Sequence, residues 1–366
     1  MTVQEVCDAV ERLAPPGYAY SWDRVGLSCG SPQQSVKGAV VALTVTREVL
    51  NTALRSKANL IVSHHPLIWE PLRTLRTDDS HTALCLDIAQ AGIACFAAHT
   101  NLDVVPGGVN TVLAERLGLT DLTPLVAVPQ AEQIKLVCFV PESHLADVRD
   151  AVCNAGAGVI GEYTHCSFSA PGVGTFLPGE KARPFSGLKH TVNEEPERRF
   201  EVLVPKARLG AVLAALTKAH PYEEPAYDVV PLDGTDRSIS LGLQGMLRRE
   251  LTLNRFASHV RQTLDVSHVR VVGEGNRRIR RVGVLGGAGG SEVGSIPTEV
   301  DVVVTGDVDY HDALNAQDRN LCVVDAGHVG TEKWIVPALV RFLEAEFPKL
   351  KVTGYDEPDP FRVVTK

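Results

Sequence analysis

At 366 residues the chain is longer than one hydrophobic core usually organises, so two or three domains are expected. Apolar residues make up 44% and charged residues 22%, a balance that excludes disorder over any large fraction of the chain. The formal charge is −8 and the longest basic cluster is Arg277, Arg278, Arg280 and Arg281, which argues against nucleic acid as a partner, because that binding rests on neutralised phosphates.

From the N-terminus, Val40 to Val45 reads as a buried strand and Arg47 to Lys57 as the helix after it. Leu60 to Ser63 is a second strand, Thr82 to Ala91 a helix, and Ile93 to Ala98 a third strand. Between about 130 and 235 the rhythm changes. Val140-Pro141 is followed by Leu145, Val148 and Ala151, and Val204-Pro205 by Leu209, Val212 and Ala215, at identical offsets. In each copy a strand (Leu136 to Val140, Val202 to Val204) stops at proline and leads into an amphipathic helix, which suggests an inserted ferredoxin-like α+β domain. After residue 238 come a helix over Thr252 to Leu264, strands Arg280 to Leu285, Val300 to Thr305 and Leu321 to Asp325, and a last helix from Thr331 to Phe347. The expected fold is therefore a two-lobed α/β domain, residues 1–128 and 237–366, interrupted by an insert at 129–236.

No segment holds the roughly 18 successive apolar residues that suggest a membrane span. The opening residues, Met1 to Val6, are not a basic stretch followed by an apolar one. The eight cysteines are scattered without a C-x-x-C pair and read as small core hydrophobes. A reducing, cytoplasmic setting is expected.

Ligands of open α/β sheets gather at the carboxyl ends of strands, and three strands here end in histidine or carboxylate. Ser63-His64-His65-Pro66 puts two imidazoles where a strand stops and proline prevents its continuation. Adjacent strand side chains face opposite ways, so beyond the strand end the two suit different ions. His99-Thr100-Asn101-Leu102-Asp103 follows the next strand, with Pro106-Gly107-Gly108 forcing a turn. Asp103 reads either as a carboxylate bridging two cations about 3.5–4 Å apart or as a capping or turn aspartate. In Asp325-Ala326-Gly327-His328-Val329-Gly330-Thr331-Glu332, residues 328 and 332 are four apart and converge if a helix starts there. Together these select His64, His65, Asp103, His328 and Glu332 as ligands of two divalent ions, with zinc, iron and manganese all suited to the donor set. Asp307, Asp309, Tyr310, His311 and Asp312 read equally as groups orienting the ligands, as substrate contacts, or as a capped helix start. Gly286 to Gly290 reads as a tight turn after a strand or as an anion-approach loop.

Taken in order, the stretches Trp22 to Leu27, Ile61 to Leu67, Ala98 to Gly108, Val304 to Asp307 with Tyr310 to Asp312, and Asp325 to His328 with Thr331-Glu332 closely resemble the dinuclear-metal-centre hexameric protein family. That family is often called Nif-three and known widely as GTP cyclohydrolase 1 type 2 homologues. The resemblance implies the same five ligands and a toroidal homohexamer, a trimer of dimers. Gly161 to Phe168, Gly174 to Phe176 and His220 to Asp228 resemble the insert of the longer bacterial members, related in fold to PII and CutA domains. Two positions depart from the family pattern: Arg24, where asparagine is commoner, and Leu243-Gln244-Gly245, where a glycine-arginine is expected.

Five protein ligands for two ions leave open coordination positions, the mark of a catalytic site. The expected activity is metal-dependent hydrolysis of a small nucleotide-like or phosphorylated substrate, with His99 or His311 as candidates for the general base. The rival expectation is a non-enzymatic metal-storing or regulatory hexamer whose insert binds an effector near Tyr163 or His220.

Overall fold

A computed structural model describes residues 1–128, 131–236 and 238–364; the expected domain boundaries at 129 and 237 fall outside them. The chain divides into two compact units, Met1–Val128 with Arg237–Lys366, and Pro129–Asp236.

In the first unit, helix α1 (Val3–Leu13) starts on a Thr2/Glu5 capping box. There follow β1 (Gly26–Cys29), β2 (Ala39–Ala42), α2 (Arg47–Ser56), β3 (Leu60–Ser63), α3 (Ser80–Gln90) and β4 (Ala94–Ala97). The one-turn α4 (Thr100–Asp103), α5 (Val109–Arg116) and β5 (Thr120–Ala127) complete this half. Every residue of β2, β3 and β4 is buried, as unbroken apolar runs in a covered parallel sheet should be.

The second unit runs β6 (Glu132–Pro141), α6 (Leu145–Asn154), β7 (Ser167–Phe176), β8 (Asn193–Pro205), α7 (Leu209–Ala219) and β9 (Tyr227–Thr235). Its sheet is antiparallel in the order β7-β8-β6-β9. Of the repeated positions Val148 and Val212 are buried in its core and Leu145 and Leu209 pack against it, while the alanines Ala151 and Ala215 are outside it and Val152 and Leu216 take the inner place, packed with Leu136, Cys138, Phe200 and Val202.

The chain then returns to the first unit with β10 (Ser240–Thr252), α8 (Leu253–Thr263), β11 (Arg270–Val272), β12 (Arg278–Ala288), β13 (Val302–Gly306) and α9 (Tyr310–Asp318). It ends with β14 (Cys322–Asp325), α10 (His328–Glu332), α11 (Ile335–Glu346) and β15 (Val352–Gly354). One sheet has the order β1-β4-β3-β2-β15, the other β11-β14-β13-β12-β10-β5. Each thus takes a strand from the far half of the sequence: β15 lies parallel to β2, and β5 antiparallel to β10.

Two expectations need correction. The last helix is not continuous from Thr331: it begins at His328, breaks after Glu332 and restarts at Ile335. Pro337 has no N–H for the Lys333 carbonyl and its ring clashes with it, so a break falls there. Gly286 to Ala288 is not a turn but the end of β12. Six cysteines are buried, Cys29 and Cys166 are half-buried, and all eight are unpaired thiols. Among the described residues no helix is long and apolar enough to cross a membrane.

Candidate metal centre

The carboxyl ends of β3, β4 and β14 bring the three selected segments together. β3 delivers His64 and His65, β4 leads through His99 into α4 and Asp103, and β14 leads into α10, whose first and last residues are His328 and Glu332. The turn carrying Asp103 is backed by Gly108, where a Cβ would lie 1.8 Å from the Leu102 carbonyl oxygen. Asn110 joins the two halves of the sequence there, donating to the Asp103 carbonyl at 2.9 Å and accepting from the Gly286 amide at 2.9 Å.

Three groups of donor atoms result among the described residues, each within 4.8 Å: two triads that share a carboxylate, His64, Asp103 and Glu332, and His65, His328 and Glu332, and an all-imidazole group of His64, His65 and His99. In the first, His64 Nε2 is 3.5 Å from Asp103 Oδ1 and 3.7 Å from Glu332 Oε1. In the second, Glu332 Oε2 is 3.1 Å from His65 Nε2 and 3.0 Å from His328 Nε2, and the two nitrogens are 3.3 Å apart. Cation–ligand bonds of roughly 2.0–2.2 Å hold neighbouring donors at about 3.0–3.5 Å, close to these spacings. Glu332, not Asp103, is the carboxylate that shows one oxygen to each triad.

The imidazoles are set by groups behind them. His64 Nδ1 donates to the Ala98 carbonyl at 2.9 Å and His328 Nδ1 to Asp307 Oδ2 at 2.7 Å, which leaves each Nε2 free to face inward. His65 Nδ1 pairs with Thr44 Oγ1 at 2.9 Å, and the Thr44 amide donates to Glu357 at 2.7 Å. Among the described residues three buried side-chain polar atoms have no hydrogen-bond partner, and two of them are His64 Nε2 and Asp103 Oδ1. Such orphaned donors facing one point fit a cation.

Burial alone would raise the Glu332 carboxyl, yet the imidazoles of His64, His328 and His65 hold it well below the usual range. Burial lowers His64, but Asp103 and Glu332 outweigh it and push it up to about 9. The hydrogen bond to Glu332, with help from Asp307, raises His328 to about 9 against burial. Burial lowers His65 and lifts Asp103 to about 6, the latter despite His64. Without a cation, protons on His64 and His328 supply the positive charge that the buried Glu332 carboxylate requires.

The remaining sequence candidates divide. His99 stands beside the centre, with ring centroids 5.1 Å from His64 and 5.6 Å from His65, and its Nδ1 donates to Asp23 Oδ1 at 2.9 Å. Burial would raise Asp23, but hydrogen bonds from His99 and Thr100 bring it down to about 2. His311 is exposed on α9, packs edge-on against Tyr310 and joins none of the donor groups. Asp309 and Asp312 form the capping box of α9.

Asn110, Thr44 and Glu357 carry no local sequence signal for these roles, whereas Asp23 and Gly287 lie in stretches the sequence singled out without giving them a role. Gly287 sits at φ +68°, and a Cβ there would lie 2.1 Å from Glu332 Oε1. Gly287→Ala, which removes no ligand, is therefore expected to weaken metal retention about 10- to 100-fold, as loss of a supporting contact does. Equilibrium dialysis against zinc checks this, and wild-type retention would mean that Glu332 does not depend on that space.

A family model described as Duf34/NIF3 (NGG1p interacting factor 3) matches residues 1–360. A GTP cyclohydrolase 1 type 2 homolog of Bacillus subtilis is 40% identical over 326 residues, covering 89% of this chain and 87% of the relative. The like-named protein of Halalkalibacterium halodurans is 39% identical over 326 residues, with 89% and 88% covered. Among solved structures, a Bacillus cereus protein related to NIF3 matches with a TM-score of 0.83 at 38% identity, covering 100% of this chain and 99% of that one.

Proposed function

The chain belongs to the Duf34/NIF3 family, and from that premise we propose that it holds two divalent cations and uses them to hydrolyse a small nucleotide-like or phosphorylated substrate. His64, Asp103 and Glu332 would hold one cation and His65, His328 and Glu332 the other, with zinc, iron and manganese all compatible with these donors. The single observation that carries this reading is the two-sided Glu332 carboxylate, flanked by triads whose buried His64 Nε2 and Asp103 Oδ1 make no hydrogen bond to the described residues.

A pair of cations held there would supply hydroxide near neutral pH and would clamp the attacked group. Around them this chain's own residues orient and move protons. Asp307 fixes the His328 ring. Asp23, ionised by its hydrogen bonds, holds His99 by Nδ1 and leaves Nε2 free to take or return a proton beside His64. His99 is thus the better of the two base candidates, because His311 has no such partner among the described residues. The names of the relatives suggest attack on a purine ring as one form of this hydrolysis.

Zinc- or manganese-loaded protein incubated with nucleotides and phosphoesters should show turnover that Asp103→Ala lowers at least about 100-fold. Equal rates for both proteins would remove the hydrolase reading.

We read the second unit as a ferredoxin-like insert of the PII/CutA kind, supported by its strand-helix-strand-strand-helix-strand order and its β7-β8-β6-β9 sheet. A cavity of about 580 Å³ in that unit, lined by Phe139, Phe185, Glu197 and Tyr222 among others, favours a second reading in which the protein is a metal-holding regulator and an effector binds there. In either case we propose a cytoplasmic homohexamer, a trimer of dimers.

A further inference from the structure

Beside the centre stand two of the chain's three tryptophans. Trp22 is 51% exposed and Trp69 45%, although a packed indole would hide most of its surface. Their ring centroids are 5.6 Å apart at 56°. Trp69 meets His99 edge-on at 5.6 Å and Trp22 meets it at 6.5 Å, while His99 is 5.1 Å from His64. Trp22 is held in place: its ring stacks on Tyr20 at 5.5 Å and 7°, the Tyr20 amide bonds Thr100 Oγ1 at 3.1 Å, and the next residue, Asp23, binds His99 and Thr100. Trp69 also forms one wall of a cavity of about 600 Å³, within the size range of small-molecule sites.

We infer that Trp22 and Trp69 form a shelf on which a planar heteroaromatic ring of the substrate stacks, a nucleobase or a fused ring of similar size. Indole faces present a large, sequence-tolerant surface for such rings. A ring sandwiched between the two would need about 7 Å, twice the normal contact distance, and Tyr20 already covers one face of Trp22, so the ring lies on indole surface covered by neither Tyr20 nor the other indole. His99, in edge contact with both indoles, then places the reacting end of the ligand toward His64 and His65. This placement rests on the hydrolase reading, whereas binding of the ring does not need turnover.

The test uses the full chain, zinc-loaded and metal-stripped, with guanosine monophosphate and ribose 5-phosphate as probes. The nucleotide is expected to quench tryptophan emission in both forms, and the base-free sugar phosphate is not. By calorimetry, Trp22→Ala and Trp69→Ala should each bind the nucleotide roughly 5- to 100-fold more weakly, the cost of losing one stacked base, and Trp22→Phe and Trp69→Phe should recover most of it. Equal binding of the two probes, or unchanged affinity in both alanine variants, overturns the shelf. So does a change of assembly size in Trp22→Ala on gel filtration, which would mean that a second copy covers these rings. Intact, Trp-dependent ring binding in a protein without turnover under any metal would uphold the shelf and count against hydrolysis alone.

Discussion

Glu332→Ala is expected to empty both metal positions, whereas Asp103→Ala and His328→Ala each empty only one. Glu332 alone among the five residues has an oxygen in both triads, Oε1 toward His64 and Oε2 toward His65 and His328. Removing it leaves each carboxylate-bearing triad two donors, too few to hold a cation against water, and it strips the anion that offsets three imidazoles, so the neutral His64, His65 and His99 group is left without a carboxylate to hold an ion. Removing Asp103 leaves the His65, His328 and Glu332 triad whole. After loading with zinc and gel filtration, elemental analysis should find about two ions per wild-type chain, about one in each single-triad variant and almost none in Glu332→Ala. The pattern separates this arrangement from one bridged by Asp103. If Asp103→Ala lost both ions and Glu332→Ala kept one, the bridge would have been placed on the wrong carboxylate.

Stripping the metal should lower the melting temperature by an amount that grows between pH 6.5 and 9. A ligand present at about a thousand times its dissociation constant stabilises by roughly 4 kcal/mol, which in a domain of this size corresponds to about 8–16 °C. The pH dependence follows from the raised histidines. His64 and His328 are lifted to about 9 in the folded, cation-free chain, so the stability they contribute is complete below the ordinary value of 6.5 and is lost as pH rises through 9. The other groups act outside that window. Glu332 is depressed, so its contribution is present above 4.5 and is lost only as pH falls well below that value. Asp103 has finished its change by about 6, and the lowered His65 costs stability only below 6.5. The loaded protein needs deprotonated imidazoles and gains affinity over the same range. Calorimetric melting of loaded and stripped protein at pH 6.5, 7.5 and 9 checks this; a gap that stayed constant or narrowed would show that protons do not take the place of the cations.

Much of the centre could be read along the chain. Apolar runs ending in His64-His65, in His99 and in Asp325 are local patterns, and strand termini in α/β sheets are where such residues meet. The i, i+4 spacing of His328 and Glu332 likewise survives as the two ends of α10. Other parts were not legible because they depend on partners distant in sequence. Residues 120–127 alternate irregularly between buried and exposed, and they form β5 only because β10 offers an edge; β15, three residues long, exists because β2 does. Asp23 meets His99 across 76 positions, and Glu357 meets Thr44 across 313.

Sequence by itself determined which side chains could ligate and which strands would carry them, because burial pattern and strand-end chemistry are properties of short segments. Only the tertiary structure decided which carboxylate turns an oxygen to each of two donor groups. That depends on the angle at which α10 meets the end of β12, where Gly287 leaves room for Glu332 Oε1. No residue type or spacing encodes that angle; it is fixed by the packing of two strands and a helix whose positions are set by the whole sheet.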